Sequence, residues 1–168
     1  AADLPSGGPA YPFATPGVRV NVALPVRDFS LTAAVFNGDP AGPGTNDPQE
    51  RDKSGTNFRT SDGAFVIGEL AYAVKPGKDA PDLPGTYKLG GWYHTGSFSD
   101  QRFDNTSRSL ADPASSGTPG FHHSNYGFYL IVDQMIWRRA GTGDEGLGAF
   151  LRLSGSPADR NLVDFYAD

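Results

Sequence analysis

Residues 127–139, GFYLIVDQMIWRR, place one carboxylate, Asp133, inside an otherwise nearly unbroken apolar and aromatic run. An isolated ionised carboxylate is too costly to take out of water. The run therefore either buries a partner for Asp133 or is a strand with one apolar and one wetted face. Read with the period of two of an extended chain, Phe128, Leu130, Val132 and Ile136 fall on one side. Tyr129, Ile131, Asp133, Met135 and Trp137 fall on the other, where Asp133 stays in water without a buried partner. Gln134 lands on the apolar side, which implies a bulge or an interfacial position there.

The same alternation recurs along the chain. VRVNVAL (18–24) sets Val18, Val20, Val22 and Leu24 against Arg19, Asn21 and Ala23, and FSLTAAVF (29–36) follows after a short turn to complete a hairpin. AFVIGELAYAV (64–74), TYKLGGWYHTG (86–96), LGAFLRLSG (147–155) and LVDFYAD (162–168) continue the series. Between them lie polar stretches at 37–63 and 97–126, expected as long loops, while the other connections are short. A long unstructured loop is uncommon in a compact soluble domain, so it counts here only if the architecture itself carries long loops.

Composition narrows the class. The chain has 168 residues, enough for one domain with a core, and its 22 glycines and 14 prolines cluster between apolar runs, as in an all-β protein with many turns. A net charge of −5 with mixed signs leaves no basic surface for a nucleic-acid backbone, so no nucleic-acid partner is expected. The absence of cysteine excludes disulfides and thiolate chemistry without deciding the compartment. No apolar run approaches the ~20 residues of a spanning helix, and the start AADLPSGGPAYP has no basic region followed by an apolar one, so no signal peptide is expected in it. A spanning strand needs only ~9–11 residues, so a membrane barrel stays open.

Two features favour that barrel over a soluble sheet with one solvated face. The polar members of the alternating faces include full charges (Arg19, Glu69, Lys88, Asp133, Arg152, Asp164), and the longest connections fall at one end of the sheet. Both belong to outer-membrane barrels, whose lumen is polar and whose outside is an apolar band. Tyr72, Tyr87 and Tyr93 suit the interfacial girdles of such a band.

The segments YPFATPGVRVNVALPVRDFSLTAAVFNGDP, GWYHTGSFSDQRFDN, YGFYLIVDQMIWR and SPADRNLVDFYAD together resemble the carbohydrate-selective porins of the OprB type, over nearly the whole chain from about residue 5 to 168. The resemblance implies an antiparallel 16-stranded transmembrane β-barrel in the outer membrane of a Gram-negative bacterium, passing sugars such as glucose by passive diffusion. It implies no enzyme activity, no cofactor and no metal. Its partners would be small sugars and outer-membrane lipid, with the protein a monomer or a homo-oligomer. The chain would supply about half of that barrel, as an internal fragment.

A sugar-selective pore needs hydroxyl-bonding groups and aromatic faces at a constriction, and rings of charge are one way to build selectivity. The inward face offers Arg19, Glu69, Lys88, Trp92, His94, Asp133, Trp137, Arg152 and Asp164. The bland alternative makes most of them water-facing wall residues with paired charges. Trp92 and Trp137 are the better stacking candidates, and Trp137, beside Asp133, is expected to matter more. A soluble carbohydrate-binding β-domain with the same tryptophans on an exposed platform is the competing reading. Glu69 and Asp133 could pair as glycosidase carboxylates only at ~5–9 Å, which sequence spacing does not provide. His122 and His123 adjoin on a chain that points them apart, so a shared metal is not expected.

Overall fold

A computed structural model describes residues 14–26, 28–44, 46–75, 82–141 and 145–168. The N-terminal part of the family resemblance and parts of the turns at 76–81 and 142–144 lie outside them. Among the described residues seven strands form one antiparallel sheet in sequence order: β1 (Gly17–Ala23), β2 (Phe29–Asn37), β3 (Ala64–Val74), β4 (Gly85–Asp104), β5 (Pro119–Arg138), β6 (Gly146–Gly155) and β7 (Phe165–Ala167). The sheet is open, with β1 and β7 at its edges. One helical turn, α1 (Pro48–Arg51), sits in the β2–β3 connection.

The register explains why the alternation is so clean. Leu31, Leu70, Leu89, Leu130 and Leu153 pair in succession across β2 to β6, making one transverse row of leucines on a single face. Next to it, toward the short connections, runs the row Phe29, Tyr72, Tyr87, Val132 and Leu151. The first three rings stack on one another, with centroids 4.7 and 6.1 Å apart. Each such cross-strand pair contributes roughly 0.2–1 kcal/mol. Tyr93 lies beyond the leucines on the other side, paired with Val66 and Tyr126.

This face is exposed rather than cored: Leu31, Leu70, Leu89 and Phe128 all remain open, and the buried apolar side chains among the described residues are few, Ala34, Pro40, Ala41, Phe65 and Phe98. A soluble sandwich would instead bury such a face against a second sheet. Charges sit on the opposite face. Placing Lys or Arg on a lipid-facing wall costs about 2–4 kcal/mol at mid-bilayer, so the partition by face is what a spanning sheet requires.

Gln134 does fall on the leucine face, opposite Gly85. It lies near the short-connection end, where its amide accepts from the Tyr87 hydroxyl and donates to the carbonyls of Pro84 at 3.3 Å and Met135 at 2.8 Å. A register shift between Met135 and Trp137 follows immediately, so the expected bulge lies just past Gln134.

The polar stretch 97–126 is not a loop for most of its length. β4 runs on to Asp104 and β5 begins at Pro119, each strand 20 residues long, so only 105–118 connects them. The strands are hidden in the sequence because their upper halves are mostly polar and lose the apolar alternation. At ~3.3 Å per residue each spans roughly 66 Å, well beyond what a bilayer needs. The 105–118 tip is organised by Asp104, whose carboxylate accepts from the backbone N–H of Thr106, Arg108 and Ser116 and from the hydroxyls of Thr106 and Ser115, all at 2.7–2.8 Å. The described residues of the 37–63 stretch, by contrast, hold no strand beyond Asn37.

Candidate pore-lining surface

The inner, polar face is built in transverse rows. Asn21, Thr32, Glu69, Gly90, Tyr129, Ser154 and Tyr166 pair in succession across all seven strands. Asn21 donates to the Thr32 hydroxyl at 2.6 Å, and Tyr129 donates to Glu69 Oε2 at 2.9 Å. The other Glu69 oxygen faces Lys88 Nζ at 3.5 Å. Lys88 belongs to the adjoining row, with Ala71, Ile131 and Arg152. Arg152 closes the row by a two-pronged contact with Asp168, at 3.0 and 2.8 Å, while its guanidinium carbon lies 5.1 Å from the Tyr166 ring centre.

Two glycines make room for rings on this face. A Cβ at Gly90 would overlap the Tyr129 ring, and one at Gly127 would come within 2.7 Å of Trp92. Each ring thus lies flat over bare backbone instead of standing into the open space, which is how an aromatic covers a strand glycine.

Above these rings a register shift between His94 and Ser97 coincides with Ser124 at φ 80. The left-handed residue reverses the alternation of β5. Below it Asn125, Gly127 and Tyr129 face inward; above it His122 does, meeting Asp100 Oδ2 at 2.7 Å. Burial pushes the Asp100 carboxyl up, but the N–H groups of Arg102 and Phe103 and the His122 ring outweigh it and hold it below the ordinary range. His123 is exposed, so the two histidines share no site.

The β6–β7 connection, 156–164, folds inward over this region. Asn161 and Asn125 exchange two amide hydrogen bonds, at 2.8 and 3.0 Å, and both are buried. Arg160 donates to the Ser124 carbonyl at 2.9 Å, and Gln101 N–H donates to the Asp159 carbonyl at 2.7 Å. Beneath the connection lies a pocket of about 460 Å³. Its floor carries Trp92, Tyr129 and Arg152, with Tyr166 of β7 on the same inner face, and the connection contributes Asn161, Val163 and Asp164. Flat aromatic faces with amide, guanidinium and carboxylate groups around them can pack the apolar side of a ring and exchange hydrogen bonds with its hydroxyls.

The expected site residues divide accordingly. Trp92, Arg152 and Asp164 line the pocket, and Glu69 and Lys88 adjoin it through Tyr129. Arg19 is on the inner face but on β1, three strands from Trp92, about 14 Å at ~4.8 Å per strand. Asp133 is inward and exposed, between Thr86 and Phe150, away from the pocket. It lies four residues along β5 from Tyr129, the residue level with Glu69, which separates the two carboxylates by roughly 13 Å along the strands alone.

Two placements differ from expectation. His94 does not line open space: at 1% exposure it is a post beneath the β2–β3 connection. Its Nδ1 accepts from the Gly96 N–H and its Nε2 donates to the Gly38 carbonyl, each at 2.9 Å, with the Phe98 ring edge-on at 5.0 Å. Trp137 is not inward. The bulge at Ile136 pairs it with Leu147, one residue out of phase with Met135 and Gly148, so it shares the outer apolar face. Tyr129, Tyr166, Asn125 and Asn161 went unmarked; alternation already placed Tyr129 inward, but nothing in the sequence signals the fold-back that brings Asn161 to Asn125.

Among the described residues no three His, Asp or Glu side chains are grouped to hold a metal. The profile of the carbohydrate-selective porin, OprB family, matches residues 1–168. Porin B of Pseudomonas aeruginosa is 27% identical over 143 residues, covering 83% of this chain and 29% of that protein. A structure described as the high pH structure of Pseudomonas putida OprB superposes with a TM-score of 0.69 at 22% identity, covering 90% of this chain and 33% of that one. The chain thus spans about a third of the length of these relatives, and its open sheet has the fold of part of a porin barrel. With the family profile matched from end to end, the chain belongs to the OprB family of carbohydrate-selective porins.

Proposed function

We propose that this chain forms part of the wall of an outer-membrane channel through which small carbohydrates such as glucose diffuse passively. The leucine face meets lipid, the polar rows face the water-filled lumen, and the connections at 38–63 and 105–118 lie on the extracellular side. The observation that carries the reading is the pocket over the inner face. There Trp92, Tyr129 and Tyr166 lie among polar side chains that include Asn161 and Asp164, while Lys88 is paired with Glu69 and Arg152 with Asp168. Such a wall offers stacking and hydrogen bonding, which suits an uncharged ligand with hydroxyl groups. No bond is made or broken, so the pore needs neither catalyst nor cofactor.

Reconstitution of the full-length protein in planar bilayers and liposomes tests this. Glucose should reduce the single-channel current and equilibrate across the liposome wall. A current that glucose leaves unchanged, together with no sugar flux, would overturn the proposal.

A further inference from the structure

Among the described residues the β6–β7 connection is the inward-folded segment that roofs the pocket, and its position rests on few contacts. The Asn125–Asn161 pair is the central one: both side chains are buried, and each amide is donor and acceptor to the other. Asn161 also donates to the Pro157 carbonyl at 2.8 Å, which ties the segment to itself. The flanking contacts are Arg160 with the Ser124 carbonyl, Asp159 with the Gln101 N–H, and Asp159 with His122 at 3.7 Å. Arg160 is in turn held by both oxygens of Asp159, at 2.8 and 3.0 Å. All these anchors lie on the inner side of β4 and β5, next to the bulge at Ser124.

We infer that Asn125 and Asn161 are positioning residues for size selection: their mutual hydrogen bonds hold residues 156–164 over the pocket, and the segment so held sets the largest sugar that passes. The argument is geometric. Asn161 both clamps the segment and lines the pocket, and Val163 and Asp164 follow it directly on the pocket roof. Any outward movement of the clamp carries the roof with it, since only three residues separate Asn161 from β7. A buried amide is also demanding about its partner: it needs both donor and acceptor satisfied, so a side chain of similar size without the amide does not replace it. The inference rests on the sugar-pore reading above.

The test measures liposome uptake of a disaccharide, maltose, relative to glucose through the full-length protein. Asn161→Ala should raise the maltose to glucose ratio about fivefold. Arg160→Gln, which removes the Ser124 and Asp159 contacts of the guanidinium and leaves the Asn125–Asn161 pair in place, should raise it less, and Leu162→Ala, a change at an exposed neighbour, should leave it unchanged. Heat-dependent gel mobility reports whether each variant is a closed barrel, and Arg160→Gln keeps the test alive if Asn161→Ala does not assemble. An unchanged ratio in an assembled Asn161→Ala or Arg160→Gln variant overturns the inference. So does an equal rise in Leu162→Ala. Absence of glucose uptake by the unsubstituted protein would instead overturn the sugar-pore reading.

Discussion

Tyr129 reaches Glu69 across two strand spacings, donating its hydroxyl at 2.9 Å over the bare backbone of Gly90. Three strands are thereby tied by one side chain, and the tie exists only because β4 has no Cβ at that point. Gly90→Ala should displace the ring and release Glu69, destabilising the sheet by about 1–3 kcal/mol, the usual cost of overpacking. Gly148→Ala is the matched control, since a Cβ there meets nothing nearer than the Gln134 carbonyl at 3.7 Å. Denaturant midpoints in lipid vesicles should fall for the first and stay for the second; similar midpoints would refute the role given to Gly90.

The two tryptophans are expected to behave oppositely. Trp92 lies over Gly127 on the pocket floor, whereas the bulge turns Trp137 toward Leu147 on the outer face. Trp92→Ala should weaken glucose block of the channel current about tenfold, which is ~1.4 kcal/mol of binding. Trp137→Ala should leave it within error. A larger effect at Trp137 would mean that the bulge does not turn that side chain outward.

His94 anchors a connection rather than a ligand. Removing the ring strands the Gly38 carbonyl and the Gly96 N–H in a buried setting, at a cost of about 1–3 kcal/mol. His94→Ala should therefore speed tryptic cleavage at Arg51 and Lys53 about tenfold, while the glucose concentration for half block changes little. Unchanged cleavage would show that the connection is held by other contacts.

Asp104 gives the 105–118 tip a defined acid response. Burial raises its carboxyl, but the N–H groups of Arg108 and Ser116 and the hydroxyls of Thr106 and Ser115 outweigh that and hold it far below the ordinary range. A depressed folded value means the stabilisation is complete above the unfolded carboxylate's ~3.9 and is lost only as pH falls through the folded value. Exchange protection at the amides of Thr106, Arg108 and Ser116, corrected for intrinsic rates, should therefore stay flat from pH 7 to pH 5. Asp104→Asn should lower it throughout that range. A midpoint between pH 4 and 5 in the unsubstituted protein would contradict the carboxylate cage.

The lower half of the sheet was readable without coordinates. Strict alternation at Val18 to Leu24, Phe29 to Phe36 and Ala64 to Val74 separates an apolar from a polar set, and a strand's period of two turns that separation directly into two faces. The same rule put Arg19, Glu69, Lys88, Trp92, Asp133 and Arg152 inward, where the register has them. It failed wherever the period was broken. One extra residue at Ile136 sent Trp137 outward, and one left-handed residue at Ser124 reversed β5 inside the stretch that the sequence reads as a loop. A slip of one residue inverts every later side chain; the bulge at Ile136 carries no glycine to announce it, and at the other the glycine, Gly96, stands on β4 while the reversal falls on β5.

The sequence by itself determined the all-β class, the two chemically distinct faces and the family, because each depends on local periodicity or on the order of segments along the chain. Only the tertiary structure decided which inward residues share a pocket. That pocket is made by contacts between residues far apart in sequence, Tyr129 with Glu69 and Asn125 with Asn161, and by the fold-back of 156–164. Those contacts depend on register and on the bare surface of Gly90 and Gly127, which are properties of neighbouring strands and not of any one segment.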